Sequence, residues 1–104
     1  MRVITIAPGE SYQVREITGD LASLQAEVGG VVEVIWHEGS WVIVADEDAR
    51  RKGLGESLIL ALWGGINRSI VGPIVIVGIA GEDFADLSDD DLDWWKQRLQ
   101  AGEA

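Results

Sequence analysis

The stretch from Val31 to Val44 constrains the fold more than any other. Two apolar arms flank His37-Glu38-Gly39-Ser40, with a tryptophan at the foot of each, Trp36 and Trp41. A two-residue turn at Glu38-Gly39, in which Gly supplies the positive φ that tight hairpins need, sets the two indoles directly opposite each other. This pattern specifies an antiparallel sheet and leaves the activity open, because the chain carries too little catalytic chemistry to name a reaction.

At 104 residues the chain is expected to form one α+β domain over residues 1–104, able to bury about two thirds of its unfolded surface without staples. Eighteen acidic residues against eight basic ones give a net charge of -10. Such a field repels nucleic acid and anionic membrane and favours basic partners, so neither nucleic acid nor membrane is an expected partner. The absence of cysteine excludes disulfides, thiolate nucleophiles and cysteine-ligated zinc. A single histidine, His37, excludes a multi-histidine metal site, and no cofactor is expected. The start of the chain has no apolar leader pattern. The longest apolar run, Ile70 to Ala80, is too short and too interrupted by Gly72, Pro73 and Gly78 to span a bilayer. The expectation is a soluble, intracellular protein.

Val3 to Ala7, the turn pair Pro8-Gly9 and Tyr12 to Ile17 read as a first hairpin. Thr18 or Asp20 caps a helix whose stripe is Leu21, Leu24 and Val28, and Gly29-Gly30 ends it. After the Trp hairpin comes a charged loop, Asp46-Glu47-Asp48 followed by Arg50-Arg51-Lys52. Glu56 to Trp63 then reads as a second helix stopping at Gly64-Gly65. Ile70 to Ile79 reads as one strand buried on both sides, in the sheet centre. Leu87-Ser88-Asp89-Asp90-Asp91-Leu92 signals a helix start: Ser88 as N-cap, Asp91 at the capping-box position, and Leu87 against Leu92 as a staple. Leu92, Trp95 and Leu99 form the buried stripe of that last helix. The expected order is β-β-α-β-β-α-β-α, about five strands in a largely antiparallel sheet under about three helices.

Several blocks, taken in order, carry a resemblance. They are Leu24-Gln25, Val28-Gly29-Gly30-Val31-Val32-Glu33-Val34, Gly53-Leu54, Ile70 to Gly78, Gly81-Glu82-Asp83-Phe84 and Leu87-Ser88. Together the chain resembles a family of short uncharacterised proteins, a domain of unknown function found mainly in bacteriophages, plasmids and their bacterial hosts. The resemblance implies a phage or mobile-element origin and brings no assigned activity. Members usually have Pro and Asn after the central Gly-Leu, where this chain has Gly55 and Ser57. A second, shorter likeness starts at Trp41-Val42-Ile43-Val44 and runs through Arg50-Arg51-Lys52-Gly53-Leu54-Gly55 into the segment after it. It is similar to the strand, R-x-x-G-x-G loop and helix with which a class of acetyltransferases grips coenzyme A. That likeness implies phosphate held by glycine N–H groups and a helix N-terminus.

Three functional expectations follow. The first is binding of a host or defence protein through an acidic surface made by Asp86, Asp89, Asp90, Asp91, Asp93 and an exposed Trp94, since no base interrupts the carboxylates from Glu82 to Asp93. The second is sequestration of a small anionic, nucleotide-like ligand by Arg50, Arg51, Lys52, Gly53 and Gly55 beside Trp36 and Trp41. The third is acyl transfer from acetyl-coenzyme A. His37 at a turn and Ser40, Ser57 and Ser69 lack the partners that nucleophilic or general-base chemistry needs. The edge strands of a small sheet and five tryptophans make a homodimer a further expectation.

Overall fold

The computed structural model describes residues 1–61 and 67–103. Its elements are β1 (Arg2–Ile6), β2 (Gln13–Glu16), α1 (Leu21–Val28), β3 (Val32–Glu38) and β4 (Trp41–Asp46). They continue with β5 (Glu56–Ala61), β6 (Asn67–Val71), β7 (Ile74–Ala80), β8 (Asp83–Ala85) and α2 (Asp89–Glu103). Six strands form one antiparallel sheet in the order β2-β1-β7-β4-β3, with β8 pairing β7 at Gly78–Ala80, and β5 and β6 make a separate two-stranded sheet.

Register divides the core by residue type. Ile4, Ile76, Ile43 and Trp36 lie in one cross-strand row, whereas Thr5, Val75, Val44 and Val34 lie in the next. Because successive strand residues face opposite sides, the valines Val3, Val42, Val44, Val75 and Val77 meet Leu24 and Val28 of α1 on one face. On the other face, Ile4, Ile6, Ile43, Ile74 and Ile76, with Trp41, pack under Leu87, Leu92 and Trp95, and Ile70 of β6 joins them. The shorter side chain thus lies beneath α1 and the longer one beneath α2. β7 pairs on both edges, and Val75, Ile76 and Val77 are fully buried, as the apolar run from Ile74 onward implies.

Both ends of α1 and the start of α2 follow the local code. The Asp20 carboxylate accepts the Ser23 N–H at 2.9 Å, and Gly29 takes the left-handed conformation, φ 81°, its N–H reaching the Gln25 carbonyl at 2.8 Å. Ser88 Oγ accepts the Asp91 N–H at 3.1 Å. Of the expected α1 stripe, Leu24 and Val28 are buried while Leu21 is exposed.

Four expectations need correction. Glu56 to Ala61 is a strand, so the described residues hold two helices rather than three; Leu62, Trp63 and the Gly64-Gly65 stop lie outside the described residues. The segment is apolar at nearly every position and so has no helical period. Pairing with Asn67–Val71 overrides its helix propensity, and the Gly72 N–H donated to the Gly55 carbonyl at 2.8 Å closes that ladder. The expected single strand from Ile70 to Ile79 is two, because Gly72 at φ 79° turns the chain and Pro73 has no N–H to continue a ladder. Among the described residues eight strands therefore stand where about five were expected.

The Trp hairpin turns one residue later than its sequence suggests. Glu38 pairs with Trp41, which leaves Gly39-Ser40 as the turn, with Gly39 first at φ 57°. Glycine in the first position is the requirement of the second common hairpin turn type. Trp36 consequently sits opposite Ile43 rather than Trp41. A bulge between Val34 and Trp36 then turns both Ile35 and Trp36 toward the α2 side.

Candidate functional site

The basic loop that joins β4 to β5 spends its donors inside the chain. The Lys52 ammonium donates to Asp46 at 2.6 Å and to the Gly29 carbonyl at 3.2 Å, the Arg51 guanidinium pairs with Asp48 at 3.0 Å, and Arg50 donates to the Ser69 carbonyl at 2.7 Å. The loop's backbone N–H groups are spent as well: Lys52 on Asp48, Gly53 on Arg50 and Leu54 on Ala49, at 2.9–3.2 Å. A strand follows the loop, so no helix N-terminus points into it. The loop is a knot of turns tied to its own acidic flank, and the phosphate cradle implied by the acetyltransferase likeness has the Lys52, Gly53 and Leu54 amides already bonded and no helix dipole behind it. Of the aromatic residues assigned to the same ligand, Trp41 is buried and Trp36 is half-buried, its Nε1 donating to Glu38 at 3.4 Å.

Asp46 anchors this knot. Its carboxylate is buried, accepts from Lys52 and from the Asp48 N–H, and lies where a Cβ on Gly30 would come within 2.5 Å of Oδ1. Gly30 is therefore required by close approach, which ties the end of α1 to the end of β4. The Lys52 hydrogen bond first, and the Asp48 N–H second, hold the Asp46 carboxyl below the usual carboxylate range; at the α1 N-terminus the Ser23 N–H does the same for Asp20. A depressed carboxyl contributes stability that is complete above its unfolded-state pKa and is lost as pH falls through the folded one. The melting temperature is expected to stay level from neutral pH down to about pH 5 and then to drop on further acidification. In Lys52→Met the acid loss should be shallower, because less preference for ionised Asp46 remains to be titrated. Melting curves by circular dichroism between neutral and acid pH check this, and parallel acid losses in the two proteins would refute it.

The acidic segment is only partly available to a partner. Arg2 gathers three of its groups: the Arg2 N–H donates to Asp86 at 2.6 Å, and the guanidinium donates to the Leu87 carbonyl at 2.6 Å and pairs with Asp89 at 2.8 Å. Asp91 accepts the Ser40 hydroxyl and so fastens the β3–β4 turn to the first turn of α2. Asp90 and Asp93 are exposed and have no partner among the described residues.

Beside them Trp94 is 42 % exposed. Its ring lies 5.8 Å from Trp41 and 5.2 Å from Trp95, and the Arg98 guanidinium covers it at 4.5 Å. The candidate partner surface thus centres on the unpaired Asp90 and Asp93, with Asp86 and Asp89 exposed but held by Arg2 and with Trp94 under Arg98, on a helix whose inner side is fixed by Trp95 against Trp41 at 4.8 Å.

A family described as "Domain of unknown function (DUF3846)" matches residues 1–100. The chain belongs to this family. Its description assigns no activity, so family membership leaves the acidic face and the basic loop to be judged on their own geometry. Nothing among curated proteins and nothing among solved structures matches the chain. Among the described residues no group of acidic or histidine side chains is arranged to hold a metal, and no helix is long and apolar enough to cross a membrane.

Two residues that shape the acidic face escaped the sequence reading. Arg2 stands 84 residues from Asp86 and carries no local signal. Gly78 did have one: a glycine inside a buried strand marks a close backbone approach, and here the Asp86 carbonyl lies 2.2 Å from where a Cβ would be.

Proposed function

We propose that this family member acts by binding rather than by catalysis, and that its target is a basic surface on a host or defence protein in a bacterial cell carrying a phage or related element. The observation that supports this most is the distribution of charge. Arg2, Arg15, Arg51 and Lys52 are ion-paired within the chain and Arg50 and Arg98 are held by a carbonyl and a ring, while Asp90 and Asp93 stand unpaired beside an exposed indole. With Lys96 the cation of α2 that has no partner among the described residues, the chain keeps a net charge of -10, and such an excess steers basic partners at rates that fall with salt. Less supports capture of an anionic nucleotide, since the three cationic side chains of the basic loop each have a partner within the chain.

The test is affinity capture from bacterial extract with the parent protein and with Asp90→Asn/Asp93→Asn, a pair chosen because neither side chain has a structural partner. The expected result is a captured protein whose retention falls about ten-fold in the variant, equivalent to about 1.4 kcal/mol, and falls again as salt shortens the Debye length. Retention indifferent to both changes would remove the proposal.

A further inference from the structure

On the α2 side of the sheet an open cleft of about 450 Å³, mouth included, separates the β3–β4 edge from β6. Its lining is mixed: Ile35, Ala45, Ile70 and Val71 supply apolar atoms, and the larger share of the lining surface is polar. Ala45 stands directly opposite Glu33 in the β3–β4 register, and its small side chain leaves the space. At the rim Glu33 and Glu47 are exposed, and neither carboxylate has a partner among the described residues. The third carboxylate, Asp46, is neutralised by Lys52. Arg50 lines the same cleft with its guanidinium committed to the Ser69 carbonyl, so it offsets one rim charge and leaves the other.

We propose that this cleft receives an arginine or lysine side chain from an extended segment of a partner protein. The methylene stem of such a side chain packs beside the partly exposed Ile35 and Val71 while its cationic head meets Glu33 and Glu47. Among the described residues no group of carboxylates is arranged to hold a bare metal ion, and an anion is repelled by the surplus carboxylate. The inference rests on the binding reading above for the partner being a protein and adds a second point of contact, away from Asp90, Asp93 and Trp94.

The experiment is a two-dimensional amide NMR titration of the intact chain with three blocked tripeptides, Gly-Arg-Gly, Gly-Lys-Gly and Gly-Gln-Gly, and with free putrescine. Saturating shifts are expected at Glu33, Ala45, Glu47, Ile70 and Val71 with the Arg and Lys peptides and not with the Gln peptide. Affinity should fall about ten-fold in Glu33→Gln/Glu47→Gln, with the remaining amide signals in place to show that the variant is folded. Shifts confined to Asp90, Asp93 and Trp94 would overturn the cleft while leaving the acidic face of α2 standing. Putrescine binding as tightly as the peptides would overturn the protein source, and drift without saturation, or no shift at all, would overturn the site.

Discussion

Gly78→Ala is expected to cost upward of about 3 kcal/mol, at or beyond the top of the range for overpacked interiors. A Cβ at this position would lie 2.2 Å from the Asp86 carbonyl oxygen, 2.9 Å from its carbon and 3.0 Å from the Ala85 carbonyl oxygen. All of these are backbone atoms, which cannot swing aside as a flexible side chain does. Neither partner is free to retreat. Gly78 is paired to Ala85 on one edge and to Trp41 on the other, and the Leu87 N–H is bonded to the Arg2 carbonyl at 3.0 Å. In a domain of about 100 residues such a loss lowers the melting temperature by at least about 12 °C. If the variant folds, the segment from Asp86 to Asp89 must move, and the Arg2 contacts to Asp86 and Asp89 should weaken with it. Thermal and urea unfolding measure the cost; a melting temperature within a few degrees of the parent would show that the β7–β8 approach is looser than described.

Trp95→Ala should be comparably damaging, at about 3–5 kcal/mol. Trp95 is among the largest fully buried side chains, packed against Trp41 and Trp94 and lying over the isoleucine face of the sheet. The informative comparison is Trp95→Phe. The Trp95 Nε1–H is buried with no hydrogen-bond partner among the described residues, and an orphaned donor carries a desolvation penalty of about 1–3 kcal/mol. Phenylalanine keeps most of the ring and removes that donor, so its cost should be less than half that of alanine. Urea midpoints at constant m-value would decide the matter. Equal losses for the two variants would mean that the indole N–H is satisfied in solution.

The features read correctly from the sequence are those whose physics is local. Asp20 and Gly29 bound α1, and Ser88 starts α2, because capping depends on residues three positions apart. Ile74 to Val77 could be placed at the sheet centre because uninterrupted β-branched residues are compatible only with burial on both faces. The misreadings arose where local codes were ambiguous. Leu58 to Ala61 suits a helix or a buried strand, and only its distant partner Asn67–Val71 decides. Glu38-Gly39-Ser40 can turn with glycine first or second, and one residue of slip separates Trp36 from Trp41.

The candidate sites divide along the same line. Which residues are acidic is plain in the sequence, but which carboxylates are already occupied depends on Arg2 and Ser40, distant in the chain. Likewise the Arg50-Arg51-Lys52 run gives no hint that its three cations are committed to Ser69, Asp48, Asp46 and Gly29. The cleft between β3 and β6 is a product of tertiary packing alone.

The edge-to-face and tilted contacts of Trp41, Trp94 and Trp95, with centroids 4.8–5.8 Å apart, give the molecule an intrinsic optical gauge. A ligand that touches the partly exposed Trp94 ring is therefore expected to change the near-ultraviolet ellipticity and emission of this cluster. Occupancy of the acidic helix face can therefore be followed in unlabelled protein by near-ultraviolet spectroscopy, while filling of the cleft at Glu33 and Glu47 should leave that signal nearly silent.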